Sequence, residues 1–433
     1  MIWIARIGLL VAVVAGCKAP PLSIDLMPAP GIYASGGVDP FADRPPIESL
    51  PDISLPYATL RKPAEEGDRQ RFYTNERANA LRGGLARIEV GKEDFTWEEA
   101  RRVSLAKNRP DRYPLEVTAV RDLGVIESSM FTPKAALESE AGAADRFAKI
   151  VNERLARSDG QDVYVYVHGY KVVFENPILV AAELWHFLGY EGAMVAFSWP
   201  STPSTWAYYA DAETAVWSAQ GFRRLLAFLA TRTDARRIHV LGYSAGTRVV
   251  AMALGQIALM HHGQTAEQIR AELRLGDVVL VGSDVDRQIV GSYIEDGLLK
   301  VQERLTIYLS GTDKALGFSK WVLGGRDRMG ETFSGELSEE VKDLLWNTDS
   351  LTIVDVTDAE ESSAGNGHAY FRKSPWASSD VLITLATDLG PGERGLVREE
   401  DSPIWTFPPD YVERLRAALA TAPRHAPAPA RAR

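Results

Sequence analysis

Six short runs of β-branched and apolar residues recur from Val163 onward, and they constrain the fold more than any other feature of the chain. They are Val163–Val167, Ala193–Phe197, Ile238–Leu241, Val278–Val281, Leu305–Leu309 and Leu351–Val354, each separated from the next by a stretch long enough for a crossover helix. Strands buried on both faces read as continuous apolar runs, so this spacing predicts a mostly parallel sheet covered by helices on both faces. Functional groups on such a sheet belong in the loops just past the carboxyl ends of the strands.

The third run leads straight into Gly242-Tyr243-Ser244-Ala245-Gly246, and a helical pattern follows at once. A glycine-framed serine between a strand and a helix describes a nucleophile elbow, a sharp turn that lifts the hydroxyl clear of the sheet. The first amides of the new helix then face any negative charge developing on an attacked carbonyl. His168-Gly169-Tyr170 follows the Val163 run without a gap, and a glycine there allows close backbone approach. The amides of Tyr170 and Ala245 are therefore the candidate oxyanion donors. His168 itself precedes the serine in a position better suited to shaping that loop than to acting as a base.

A serine nucleophile needs a base and an acid to orient it. Two histidines lie beyond the helix that follows Ser244: His425, in a Pro- and Ala-rich tail, and His368, in the glycine-rich Gly365-Asn366-Gly367-His368 loop past the Leu351 run. His368 is the candidate base, since an imidazole titrates close enough to neutrality to take and return the serine proton. Candidate acids are Asp284 or Asp286 past the Val278 run and Asp313 past the Leu305 run. Asp313 is preferred, with a helix-capping role as its alternative, and capping or loop bracing is expected of Asp284 and Asp286. Ser244, Asp313, His368 is also the triad order of a strand-turn-helix elbow. Trp199, Trp206, Tyr208 and Tyr209 follow a strand end. They are expected either to wall an apolar acyl pocket, with His168, Trp199 and Tyr209 as substrate-binding candidates, or to pack in the core. His186, His261 and His262 lack metal-ligand spacing, and the chemistry needs no metal or organic cofactor.

The chain of 433 residues has a net charge of −10, and its lysines and arginines are not clustered among aromatics, which argues against a nucleic-acid partner. Its single cysteine, Cys17, follows Arg6, the apolar run Ile7–Val14 and the small pair Ala15-Gly16. This resembles a bacterial lipoprotein signal peptide, with Cys17 the lipidated first residue of the mature chain. The apolar run is far shorter than the roughly 20 residues a spanning helix needs. Residues 1–16 are then the signal peptide, 17–65 a Pro-rich tether, 66–395 the hydrolase domain, and 396–433 a C-terminal extension with a disordered tail. Arg71–Thr74, Leu85–Val90 and Leu115–Val120 are expected as antiparallel N-terminal strands, and 143–157 as an amphipathic helix.

Several further segments carry a resemblance: Phe72-Tyr73-Thr74-Asn75-Glu76-Arg77, His168-Gly169-Tyr170, Phe197-Ser198-Trp199-Pro200-Ser201, the elbow, Gly282-Ser283-Asp284-Val285-Asp286, Ser310 to Leu316, and Gly367-His368-Ala369-Tyr370. Over about residues 70 to 390 the chain resembles the bacterial α/β hydrolases of unknown function, many of them exported or lipid-anchored. The resemblance implies an α/β-hydrolase fold and carries Ser244, Asp313 and His368 over as nucleophile, acid and base. The elbow has tyrosine before the serine and alanine after it, where members more often have histidine and methionine, a difference that bears on substrate preference. The expected activity is hydrolysis of a small-molecule or lipid carboxylic ester, peptidase and acyltransferase chemistry using the same triad. The expected location is the cell envelope, on the periplasmic face of the outer membrane, because Lys18 gives no retention signal of the aspartate kind. An inactive binding or scaffold lipoprotein with the same fold is the alternative.

Overall fold

The computed structural model describes residues 22–34, 36, 38–42, 52–91, 95–109, 111–204, 207–313, 329, 339–365 and 367–421. The signal-peptide segment, Cys17, Trp206, residues 314–328 after Asp313 and the tail from Pro423 lie outside them, as do the side chains of Tyr208 and Tyr209. Among the described residues the strands join one sheet of 11: β1 (Ser23–Asp25), β2 (Asp52–Pro63), β3 (Tyr73–Val90), β4 (Pro114–Ser128), β5 (Val163–Val167), β6 (Ala193–Ser198), β7 (Ile238–Tyr243), β8 (Leu275–Val281), β9 (Arg304–Leu309), β10 (Leu351–Asp355) and β11 (Trp405–Thr406). Their order is β1-β4-β3-β2-β6-β5-β7-β8-β9-β10-β11. Pairing is parallel from β2 through β11 and antiparallel among β1, β4, β3 and β2. The chain thus has a mostly parallel sheet with helices on both faces and antiparallel N-terminal strands.

The two-residue period of the strands divides the core. Val163, Val165 and Val167 of β5, with Val240 of β7 and Val278 and Leu280 of β8, meet helices α1 (Ala143–Leu155), α3 (Tyr208–Arg232) and α4 (Gly246–Met260) on one face. Tyr164 and Tyr166 of β5, with Leu241 and Val279, meet α2 (Glu175–Phe187) and α6 (Pro375–Ala386) on the other. The α2 helix is buried along its whole length, which is why its sequence shows so little amphipathic contrast.

Three expectations change. Two of the expected N-terminal strands, around Phe72 and Leu85, are halves of the single long strand β3. The expected tether is largely part of the folded unit: β2 is inserted between β3 and β6, β1 pairs with β4, and Ile32 and Tyr33 are buried. The Ile32 amide donates to Ser379 Oγ at 3.1 Å and the Tyr33 hydroxyl to the Phe187 carbonyl at 2.9 Å. The C-terminal extension is also integral, since β11 pairs with β10 and the Tyr411 hydroxyl of α7 (Tyr411–Thr421) donates to buried Asp380 at 3.1 Å. Described residues on both sides of 66–395, from β1 and β2 to β11 and Tyr411, therefore pack into the same unit.

Candidate active site

The elbow is built by close packing. Ser244 sits at φ +53°, in the left-handed region that side chains rarely adopt, and its amide donates to the Val281 carbonyl of β8 at 2.9 Å. Such a turn persists only where its surroundings over-determine it. A side chain at Gly246 would drive into the carbonyls of Val167 and His168, and a Cβ at Gly169 would stand 2.9 Å from Ser244 Cβ. Both positions therefore need glycine for the helix start and the β5 loop to reach the serine.

Ser244, Asp313 and His368 come together past the carboxyl ends of β7, β9 and β10. His368 Nε2 lies 2.8 Å from Ser244 Oγ, and His368 Nδ1 lies 2.6 Å from Asp313 Oδ2. All three are buried, with the Asp313 carboxylate wholly shielded from solvent. An ionised acid accepting from Nδ1 leaves Nε2 free to accept the hydroxyl proton, the tautomer a base needs.

The imidazole is held from several sides. Tyr370 Oη accepts from the Gly282 amide at 2.7 Å and donates to the Tyr308 carbonyl at 3.0 Å, pinning the His368 loop to β8 and β9. Burial raises the pKa of this phenol well above its ordinary value, so it remains a donor. Tyr243, the residue before Ser244, packs its ring 5.0 Å from the imidazole and 4.8 Å from Phe371. Behind the loop, Arg372 makes a two-pronged ion pair with buried Glu183 of α2 at 2.5 and 3.1 Å. Glu183 also accepts the Met27 amide at 2.5 Å, so the N-terminal segment braces the same loop.

Of the two oxyanion candidates, Ala245 is the N-cap of α4, and Tyr170 is half-buried in the β5 loop directly after Gly169, whose backbone closes on Ser244. His168 is turned away from the serine. Its ring nitrogens face the carbonyls of Gly169 at 2.6 Å and Trp199 at 3.1 Å, and its ring stacks on Trp199 at 5.2 Å. The Trp199 indole donates to the His168 carbonyl at 2.7 Å, closing a reciprocal lock between the β5 and β6 loops. Burial, helped by nearby Arg61, pushes the His168 pKa well below its ordinary value against the opposing pull of the two carbonyls. His168 and Trp199 are 2% and 0% exposed, so neither offers surface to a substrate; the core role is the one Trp199 fills, and the wall they were expected to form is corrected accordingly. Tyr209, the third substrate-binding candidate, starts the α3 helix, its side chain outside the described residues.

Asp284 accepts from Arg248 Nε at 3.2 Å, while Asp286 caps helix α5 (Arg287–Glu295) by accepting the Gln288 amide at 2.9 Å. Among the described residues no group of three or more His, Cys, Asp and Glu side chains is arranged to hold a metal ion. Tyr370, Arg372 and Glu183 are the supporting residues that sequence reasoning missed. Glu183 left a signal, a carboxylate within an otherwise apolar helix, which requires a partner when buried.

Residues 143–385 match the sequence family described as alpha/beta hydrolases of unknown function, more than half of the chain. No curated protein and no solved structure matches it.

Proposed function

The chain belongs to the alpha/beta hydrolases of unknown function, and from that premise we propose that it is a serine hydrolase acting on carboxylic esters through an acyl-enzyme. The observation that carries this reading is the unbroken hydrogen-bond path from Asp313 Oδ2 through the His368 imidazole to Ser244 Oγ. His368 takes the hydroxyl proton as Ser244 attacks the ester carbonyl, and Asp313 stabilises the imidazolium that forms. The amides of Tyr170 and Ala245 receive the oxyanion. His368 then protonates the departing alcohol, and a water activated by the same imidazole releases the acid and regenerates the serine.

Attachment to a membrane through a lipidated Cys17 belongs to the same proposal, supported by the apolar run and small residues before that cysteine. It would hold the enzyme beside lipid or acylated envelope esters. The test is hydrolysis of p-nitrophenyl esters of graded acyl length by the full chain and its Ser244→Ala variant. Turnover should appear with at least one chain length and fall by about 10⁴-fold or more in the variant. Equal turnover by both proteins would refute the serine mechanism. Replacing Cys17 with serine should release the protein from membranes, and unchanged partition would refute the anchor.

A further inference from the structure

Arg61 is an unusual residue to find at the end of β2, because its side chain is fully buried. Nε donates to Ser198 Oγ at 2.9 Å, Nη1 to Asn75 Oδ1 at 2.5 Å and to the Ser201 carbonyl at 3.3 Å, and Nη2 to the Val172 carbonyl at 3.1 Å. Among the described residues these acceptors are all uncharged. Asp211 and Glu175 act on the guanidinium through space, and burial lowers its pKa to about 9, so it stays charged at neutral pH. A buried cation without a directly bonded carboxylate is costly to keep, whereas an apolar side chain would pack in the same strand at no such cost.

What Arg61 holds is the loop that follows Gly169. Lys171, between Tyr170 and Val172, stands at φ +64°, a conformation a side-chain-bearing residue leaves unless its neighbours enforce it. The enforcement comes from both flanks. The Lys171 amide bonds to Asp211, which also accepts the Thr202 amide at 2.9 Å. Val172 exchanges hydrogen bonds with Ser201 Oγ, accepting at 3.2 Å and donating at 3.4 Å, and its carbonyl takes the Arg61 guanidinium.

We infer that Arg61 is a positioning residue for the oxyanion loop: by tying Val172 to Ser198 and Ser201 at the end of β6, it keeps Lys171 in its left-handed turn and the Tyr170 amide over Ser244. The inference rests on the serine-hydrolase reading above. It assigns a role to a residue that touches no reacting atom and lies outside the matched family segment, which begins at residue 143. Guanidinium geometry matters here, since one planar fork serves acceptors on three segments at once; an ammonium is a single point donor.

The test measures kcat and KM for the best nitrophenyl ester, together with the rate of fluorophosphonate labelling, in the full chain and its Arg61→Met, Arg61→Lys and Ser201→Ala variants. Arg61→Met should lower kcat and labelling rate by about 10²-fold, the size of losing one oxyanion donor, with KM within about twofold. Arg61→Lys should recover only part of the loss. A folded Arg61→Met enzyme with kcat within threefold of wild type, or one that changes KM alone, overturns the assignment. Should Arg61→Met fail to fold, Ser201→Ala decides: kcat about fivefold lower at unchanged KM supports the role, and unchanged kcat overturns it. A wild-type chain that is not labelled at Ser244 removes the hydrolase reading and this inference with it. Normal labelling with insensitive variants removes the inference alone.

Discussion

The β7 strand carries a histidine-carboxylate cluster at each end, and the two differ in what surrounds the imidazole. Past its carboxyl end, Ser244 meets His368 and Asp313. Five residues earlier, about 17 Å along a strand, His239 is buried between the carboxylates of Asp277, 3.0 Å from Nδ1, and Asp162, 3.7 Å from Nε2. The second imidazole faces two carboxylates where the first faces one carboxylate and a serine, and arginines neutralise its acids: Arg304 Nε reaches Asp277 at 2.5 Å and Arg236 reaches Asp162 at 2.8 Å. Burial pulls the His239 pKa down, but its two carboxylate partners outweigh this and leave it raised. The same residue types thus tie neighbouring strands together at one end and line up with a serine hydroxyl at the other. Placement at the rim beside a strained serine separates them.

The sharpest way to break this contrast is to delete each imidazole in turn. His368→Ala should lower kcat/KM by about 10³-fold or more, with little change in unfolding free energy. His239→Ala should leave kcat/KM within about threefold and lose about 1–3 kcal/mol of stability, because two arginine-paired carboxylates lose a shared buried partner. Ester hydrolysis and urea unfolding on both variants check the pair, and an exchange of the two phenotypes would reverse the roles assigned to the two ends.

The acids sharpen it next. Asp313→Asn should lower kcat by about 10⁴-fold. Asp286→Asn should cost at most about 1 kcal/mol of stability as an altered helix cap, and Asp284→Asn should keep kcat within a few-fold. A ranking with Asp284 or Asp286 first would move the acid to β8.

The pH dependence of stability separates the ends further. His239 holds its proton more tightly folded than unfolded. Its stabilisation is therefore complete below the ordinary imidazole value of about 6.5 and lost as pH rises through the raised folded value. Wild type should lose more stability than His239→Gln between pH 6 and 9 in urea titrations, and parallel curves would contradict this. A smaller effect is expected at Asp211, whose carboxyl burial raises to about 6. The folded state then binds the proton more readily, so this group makes stability fall as pH rises from about 4 to 6, by no more than about 3 kcal/mol. Asp211→Asn should remove that slope.

Much of this arrangement was legible because the parallel strands are buried on both faces and so read as uninterrupted apolar runs. His368 emerged from the scarcity of histidines past the elbow, and the serine from its glycines. The N-terminal region hid its structure. Pro56 marks β2 as a non-strand, yet in the sheet it faces Leu85 of β3 while pairing with β6 begins only at Tyr57, so the missing donor falls where β2 has a partner on one side. Arg61 was concealed by the same misreading. Asp277 within Leu-Gly-Asp-Val-Val and His239 within Ile-His-Val-Leu did leave a signal, since a titratable side chain inside a buried strand needs a partner. The sequence does not reveal which residues those partners are, because they lie on other strands.

The most direct measurement is mass-spectrometric mapping of the adduct formed when the full chain reacts with a fluorophosphonate. The account predicts one phosphonylated residue, Ser244, with modification lost in Ser244→Ala and slowed by orders of magnitude in His368→Ala. An unmodified chain, or an adduct that persists on another residue when Ser244 is replaced, would contradict it.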